Sequence, residues 1–202
     1  MPELITPTAR LHESWLAARD DWGRGVHQDG SGLKPSDDVD SPEGFASWVR
    51  QLNDATDESR LPAGLVPALY WWIVEGDEVL GAVSLRLRLN DFLMRAGGHI
   101  GYGVRPAARR RGLATFALGE ALAEAARRGI DPVLVTCDVD NTASARTIER
   151  HGGVLEDVRD TELGRLRATG SRPAERGPQS GSSSASRSMS RPSCQRPSAP
   201  RS

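Results

Sequence analysis

Residues 105–122 read RPAARRRGLATFALGEAL, three consecutive arginines followed by a glycine and then an apolar, alanine-rich run. Arg109, Arg110 and Arg111 have three readings: a basic patch for nucleic acid, the solvated start of a helix, or the rim of a phosphate-binding turn. Local chemistry favours the third. A strand that ends at Pro106 and turns directly into a helix leaves several main-chain N–H groups without intrahelical acceptors, and the helix dipole adds positive potential at the same point. Such a turn binds phosphate-type anions. Three cations at a helix N-terminus oppose the dipole unless an anion joins them. Gly112, lacking a Cβ, lets the main chain approach that anion, and Ala114 is small for the same reason. The stretch is neither a dinucleotide GxGxxG nor a Walker A loop, because Gly-Lys-Ser/Thr is absent.

Other residues able to do chemistry lie on either side. His99 stands in the glycine-rich stretch GGHIGYGVRP and is a candidate general base, with packing as the plainer role. Tyr102 follows three residues later. Asp138, Asp140 and Asn141 precede TASARTIERHGG, where Asn141 suits a helix N-cap and Ser144 lies in the first turn. Cys137 sits in an apolar run and Cys194 far away in a polar one, so neither a disulfide framework nor a metal-ligand spacing follows, and no metal is expected.

These residues need elements to hold them. ELITP is a short strand closed by Pro7. From Thr8, Leu11, Trp15, Leu16 and Ala18 recur at helical spacing, with Gly23 to stop the helix. Residues 24–42 are loop, rich in Gly, Ser, Asp and Pro. A second helix begins with Ser41 as N-cap and Pro42 in its first turn, with Phe45, Trp48, Val49 and Leu52 as its apolar stripe. The period then changes to two. PALYWWIVEGDEVLGAVSLRLRLND reads as two strands joined at Gly76-Asp77, the second with a wet face carrying Ser84, Arg86 and Arg88. Trp71 and Trp72 point to opposite faces. A strand over 98–104, a helix from Gly112, a buried parallel strand over 132–138, a short helix from Asn141 to Gly152-Gly153 and a strand over 154–160 complete the order. The helical crossover makes the strands at 98–104 and 132–138 parallel neighbours in a mixed α/β sheet with flanking helices.

With order and spacing in place, Arg109-x-x-Gly112-x-Ala114 resembles the Gln/Arg-x-x-Gly-x-Gly/Ala signature of the GNAT superfamily of N-acetyltransferases. GGHIGYGVRP and TCDVDNTASA are similar to a bacterial group of predicted members. The resemblance spans about residues 4–160. It implies acetyl-CoA as cosubstrate, bound where the two parallel strands splay apart. It implies pantetheine pairing with the main chain around Tyr102 and Val104, with the N–H of Val104 polarising the thioester. The pyrophosphate would sit on Arg109, Arg110, Arg111, Gly112, Leu113, Ala114 and Thr115, and Asn141 would face the acetyl end. Many members carry a Tyr seven residues after that Asn to protonate the leaving thiolate. Here the position is Ile148, and Ser144 is the candidate acid instead. The acceptor implied is a small-molecule or peptide amine, without a membrane or nucleic-acid partner; oligomeric state is left open. A domain that binds acyl-CoA without turnover is the alternative.

Composition bounds the rest. The formal charge is −1, yet residues 168–202 carry six Arg and one Glu, so the body is net negative, which excludes nonspecific polyanion binding as its task. MPELITPTARLHESW turns polar too soon for a secretory leader, and no apolar run approaches the roughly 20 residues of a membrane span. A cytoplasmic location is expected. Residues 168–202 contain no Val, Ile, Leu, Phe, Tyr or Trp, so the sequence predicts a domain over 1–166 and a disordered tail over 167–202. The resemblance implies one further strand, often containing Arg-Tyr-Trp, at the place where the tail begins. Arg-Arg-Tyr-Trp written CGC-CGC-TAC-TGG and read with one C missing gives Arg-Ala-Thr-Gly, the sequence at 167–170. The expectation is therefore a frameshifted ending, a final strand missing or replaced, and an unpaired strand at 154–160.

Overall fold

The computed structural model describes residues 1–171. Seven strands form one mixed sheet in the order β1-β2-β3-β4-β5-β7-β6. They are β1 (Glu3–Ile5), β2 (Ala68–Glu75), β3 (Glu78–Arg86), β4 (Ile100–Val104), β5 (Val133–Asp138), β6 (Val154–Thr161) and β7 (Gly164–Ser171). The helices are α1 (His12–Trp22), α2 (Pro42–Asn53), α3 (Leu113–Arg127) and α4 (Thr142–Arg150). No helix among the described residues is long and apolar enough to cross a membrane.

Local signals act where the sequence places them. The Ser41 hydroxyl accepts the Gly44 N–H at 3.0 Å, with Pro42 in the first turn. Thr8 caps a single 3-10 turn, Ala9–Leu11, from which α1 continues. Asn141 caps α4 by accepting the Ser144 N–H at 3.0 Å. Each face of the sheet has its own core. Ile73, Val83, Leu85, Ile100, Val133 and Val135 pack under Leu118, Ala121 and Ile148 from α3 and α4. Trp72, Val74 and Ala82 pack against Trp15, Phe45 and Trp48 from α1 and α2, so Trp71 and Trp72 do part to opposite faces.

The expected wet face of β3 is largely covered. Ser84 is buried, because residues 28–32 lie flat over β3 and β4. Gly30, at φ +81, sits so close that a Cβ there would stand 2.5 Å from the Gly101 carbonyl oxygen. The glycines of β4 make room for a crossing main chain. Gly30→Ala is expected to cost about 2 kcal/mol in urea unfolding from strain and clash together. Gly25→Ala, at φ +77 but with nothing within 4 Å, should show only the backbone cost, about 1 kcal/mol.

A correction concerns the end of the chain. Residues 164–171 form a complete strand, and the predicted boundary at 166–167 runs through it. β7 inserts between β5 and β6, pairing Val133 through Asp138 with Ser171 through Leu166 on one side and Val154 with Gly170 on the other. Main-chain pairing needs no large side chain, and Leu166, Ala168 and Thr169 are buried there. The strand at 154–160 thus has a partner. The part of the predicted tail from 172 onward lies outside the described residues.

Candidate active site

The turn after β4 exposes main-chain donors. Residues 106–108 make one 3-10 turn, Arg110 adopts φ 64 and Gly112 φ 79, and α3 begins with no side-chain cap and no acidic residue in its first turn. The first donor of α3 to find a main-chain acceptor is Phe116, on the Gly112 carbonyl at 2.9 Å. Among the described residues no acceptor engages the N–H groups of residues 110–115. Two left-handed residues separated by one other turn consecutive N–H groups inward, a concave site for an oxyanion.

The three arginines do not act as one clamp. Arg109 folds back, its Nε donating to the Val104 carbonyl at 3.1 Å with the guanidinium 5.0 Å from the centre of the Trp22 ring. Arg111 pairs with Glu75 across to β2. Arg110 is exposed and has no side-chain partner among the described residues. Asp21, beside Trp22, accepts from the Ala107 N–H at 3.0 Å and from Arg105 Nε at 3.1 Å, and the Ala107 bond first, then Arg105, holds its carboxyl below the usual range. The end of α1 therefore fixes the turn. Neither Asp21 nor Trp22 carried a sequence signal beyond its place at a helix end.

Next to this turn the sheet opens. β4 and β5 are parallel but share a single register pair, Ile100 with Val135. At the closed end the His99 N–H donates to the Leu134 carbonyl at 2.7 Å. Along β4, His99 accepts from the Arg86 N–H and the Arg105 N–H donates to Leu80, so these alternate residues bond to β3. The main-chain groups of Tyr102 and Val104 consequently turn toward the gap.

Across the gap stands α4. The Tyr102 hydroxyl donates to the Ser144 carbonyl at a long 3.5 Å, and burial pushes its pKa to about 12. Asn141 spends its side-chain oxygen on the Ser144 N–H, leaving its amide group. Ile148 is buried in the core, so no polar group replaces the family phenol at that position. Burial raises the half-buried Cys137 thiol.

His99 is placed unlike a free base. Its Nδ1 accepts the Leu134 N–H at 3.0 Å, so the neutral ring carries its proton on Nε2 and has no spare lone pair. Burial first, then the charge of Arg86, lowers its pKa below 6.5. The unfolded chain therefore takes up this proton at higher pH than the folded one. Stability is full above about pH 6.5 and falls as the pH drops toward the folded value. In urea, His99→Asn should lose about 1 kcal/mol at pH 7.5, yet lose less than the parent between pH 7.5 and 5.5. Equal acid sensitivity of the two proteins would disprove this role.

Comparison with known proteins identifies the family and the fold. The profile described as "Acetyltransferase (GNAT) family" matches residues 37–153. No curated protein sequence matches the chain. Among solved structures, the ribosomal-protein-S5-alanine acetyltransferase from Vibrio fischeri superposes with a TM-score of 0.65 at 14% identity, covering 88% of this chain and 96% of that one. RimL, a ribosomal L7/L12 alpha-N-protein acetyltransferase in complex with coenzyme A, gives 0.61 at 18% identity, with 84% and 92% covered. The microcin C7 self-immunity acetyltransferase MccE, in complex with acetyl-CoA and AMP, gives 0.61 at 20% identity, with 85% and 92% covered. At these identities the likeness is one of fold.

Proposed function

The chain belongs to the GNAT family of acetyltransferases, with acetyl-CoA as cosubstrate, and we propose that it acetylates a primary amine of a small molecule or peptide. One observation carries this reading: the gap between β4 and β5 and the free donors at residues 110–115 lie at the same end of the sheet. When bound, acetyl-CoA supplies an activated acyl group. The N–H groups of residues 110–115 and the Arg110 side chain hold its pyrophosphate. Arg109 and Arg111, tied to Val104 and Glu75, fix the turn and add positive potential. Main-chain groups of Tyr102 pair with the pantetheine arm as an added strand does. The Val104 N–H donates to the thioester carbonyl oxygen, where negative charge develops. The Asn141 amide borders the acetyl end. His99 positions the closed end of the gap, and rate enhancement comes chiefly from orientation of the amine. The Ser144 or Tyr102 hydroxyl would relay the proton, protonating the leaving thiolate as it takes up the one the acetylated amine loses. We place this activity in the cytoplasm.

Thiol release from acetyl-CoA over a panel of amines, paired with calorimetric titration of acetyl-CoA alone, tests the reading. Saturable binding with amine-dependent release is the expected result. Binding with no release on any amine would favour a non-catalytic acyl-CoA domain, a reading motivated by the apolar Ile148. Absence of binding by the folded chain would defeat both. We further propose that the coding frame shifts at residue 167. Exposed Val154, Leu155 and Val158 on β6, beside a β7 that has only small and polar residues after Leu166, support this. Resequencing across codon 167 decides it.

A further inference from the structure

We infer that Arg86 selects the acceptor, pairing with a carboxylate or phosphate oxyanion that the amine carries; this rests on the acetyltransferase reading above. Arg86 ends β3 on the sheet face that α1 and α2 cover. It lies directly opposite His99, whose carbonyl accepts the Arg86 N–H at 2.7 Å. It is diagonal to Tyr70, whose register partner is Ser84. Its Nη1 donates to the Gly97 and Gly98 carbonyls, each at 3.2 Å. Nε and Nη2 have no hydrogen-bond partner among the described residues, and Arg86 as a whole is only partly buried. They form one edge of the planar fork, the geometry that grips an oxyanion through two parallel hydrogen bonds.

Other sheltered arginines are treated differently. Arg19, with its side chain 7% exposed, pairs with Asp20 and Asp40. Arg105, at 16%, pairs with Asp21 and Glu78. Arg86 has no ion-pair partner among the described residues. The Asp29 carboxylate bonds instead to His27 at 3.2 Å. Burial lowers the Arg86 pKa, whereas the two carboxylates raise that of Arg19. Asp29 offsets that burial only at a distance, and a half-buried cation without a contact ion pair costs stability unless a ligand supplies one. Tyr70 adds a second donor. Its ring is held against Gly32, where a Cβ would stand 2.6 Å from it, and burial keeps the phenol protonated.

Position completes the case. His99 pins the point where β4 and β5 part, one strand from Arg86. Strands lie about 4.8 Å apart, so an amine in the gap and an oxyanion on Arg86 are separated by about 7–10 Å. The acceptor class is thus an amine with an acidic group about six to eight bonds away: an ω-amino acid, a longer aminoalkyl phosphate, or a peptide N-terminus with an acidic second residue.

The test uses matched acceptors on the full chain, loaded with CoA for binding and with acetyl-CoA for thiol release: 6-aminohexanoate against its amide, 4-aminobutyl phosphate against 4-aminobutanol, and Ala-Asp-Ala amide against Ala-Asn-Ala amide. Calorimetric binding and thiol release should favour the acidic member of at least one pair by about tenfold or more, and that pair identifies the oxyanion. Arg86→Met should reduce the preference to within about twofold while acetyl-CoA affinity stays within about twofold of the parent. Should Arg86→Met fail to fold, Arg86→Gln reads the same preference and keeps a donor toward Gly97 and Gly98. No acidic preference, no binding by any member, or a preference that survives loss of Arg86 would overturn the inference. Failure of the parent protein to bind acetyl-CoA would instead mark failure of the acetyltransferase reading.

Discussion

Gly112→Glu is expected to weaken acetyl-CoA binding by about 100-fold or more, which is about 2.7 kcal/mol. Two effects add. Gly112 is at φ +79, and a side chain in the left-handed region costs about 1 kcal/mol. The larger effect is electrostatic. A Cβ at residue 112 meets nothing within 4 Å, so the new carboxylate enters the open space in front of the free N–H groups. There it repels the pyrophosphate and competes for its donors. Gly112→Ala separates the two effects, since it brings the strain without the charge and should lose less than about tenfold. Calorimetric titration with acetyl-CoA measures both variants. Binding of Gly112→Glu within about threefold of the parent would show that the pyrophosphate lies elsewhere.

Ala168→Glu is expected to destabilise the fold by about 3–5 kcal/mol, enough to leave a large fraction of a marginal domain unfolded. Ala168 is fully buried in β7, with register partners Thr136 on β5 and Asp157 on β6. A carboxylate there would be desolvated next to an existing carboxylate. Arg165→Glu, on an exposed position of the same strand, should change stability by about 0.5 kcal/mol or less. Urea unfolding followed by circular dichroism checks the pair. Ala168→Glu unfolding at the parent's midpoint would mean that β7 is not inserted in the sheet, returning the chain to the incomplete sheet expected from its sequence.

Much of the architecture was legible along the chain because it depends on neighbours in sequence. Period-two and period-3.6 patterns set the strands and helices, and Ser41 and Asn141 marked two helix starts by a local bond. The strand–turn–helix around Gly112 was equally legible, since its main-chain donors are orphaned by the turn itself. β7 escaped this reading because its stability comes from main-chain bonds to two flanking strands, which leave no hydrophobic pattern in RATG. The arginine run was equally opaque. Identical neighbours in sequence take Val104 and Trp22, open solvent, and Glu75 as surroundings, since an αL residue at 110 turns the chain between them. His99 looked like a base until the Leu134 N–H occupied its lone pair. Arg86 looked like a solvated alternate residue until residues 28–32 covered the adjoining face. The sequence by itself determined every element up to β6 and their order, all products of local covalent geometry and periodicity. Only the tertiary structure decided which charges are paired and which have no partner among the described residues, because pairing depends on distances between groups that the chain brings together from far apart.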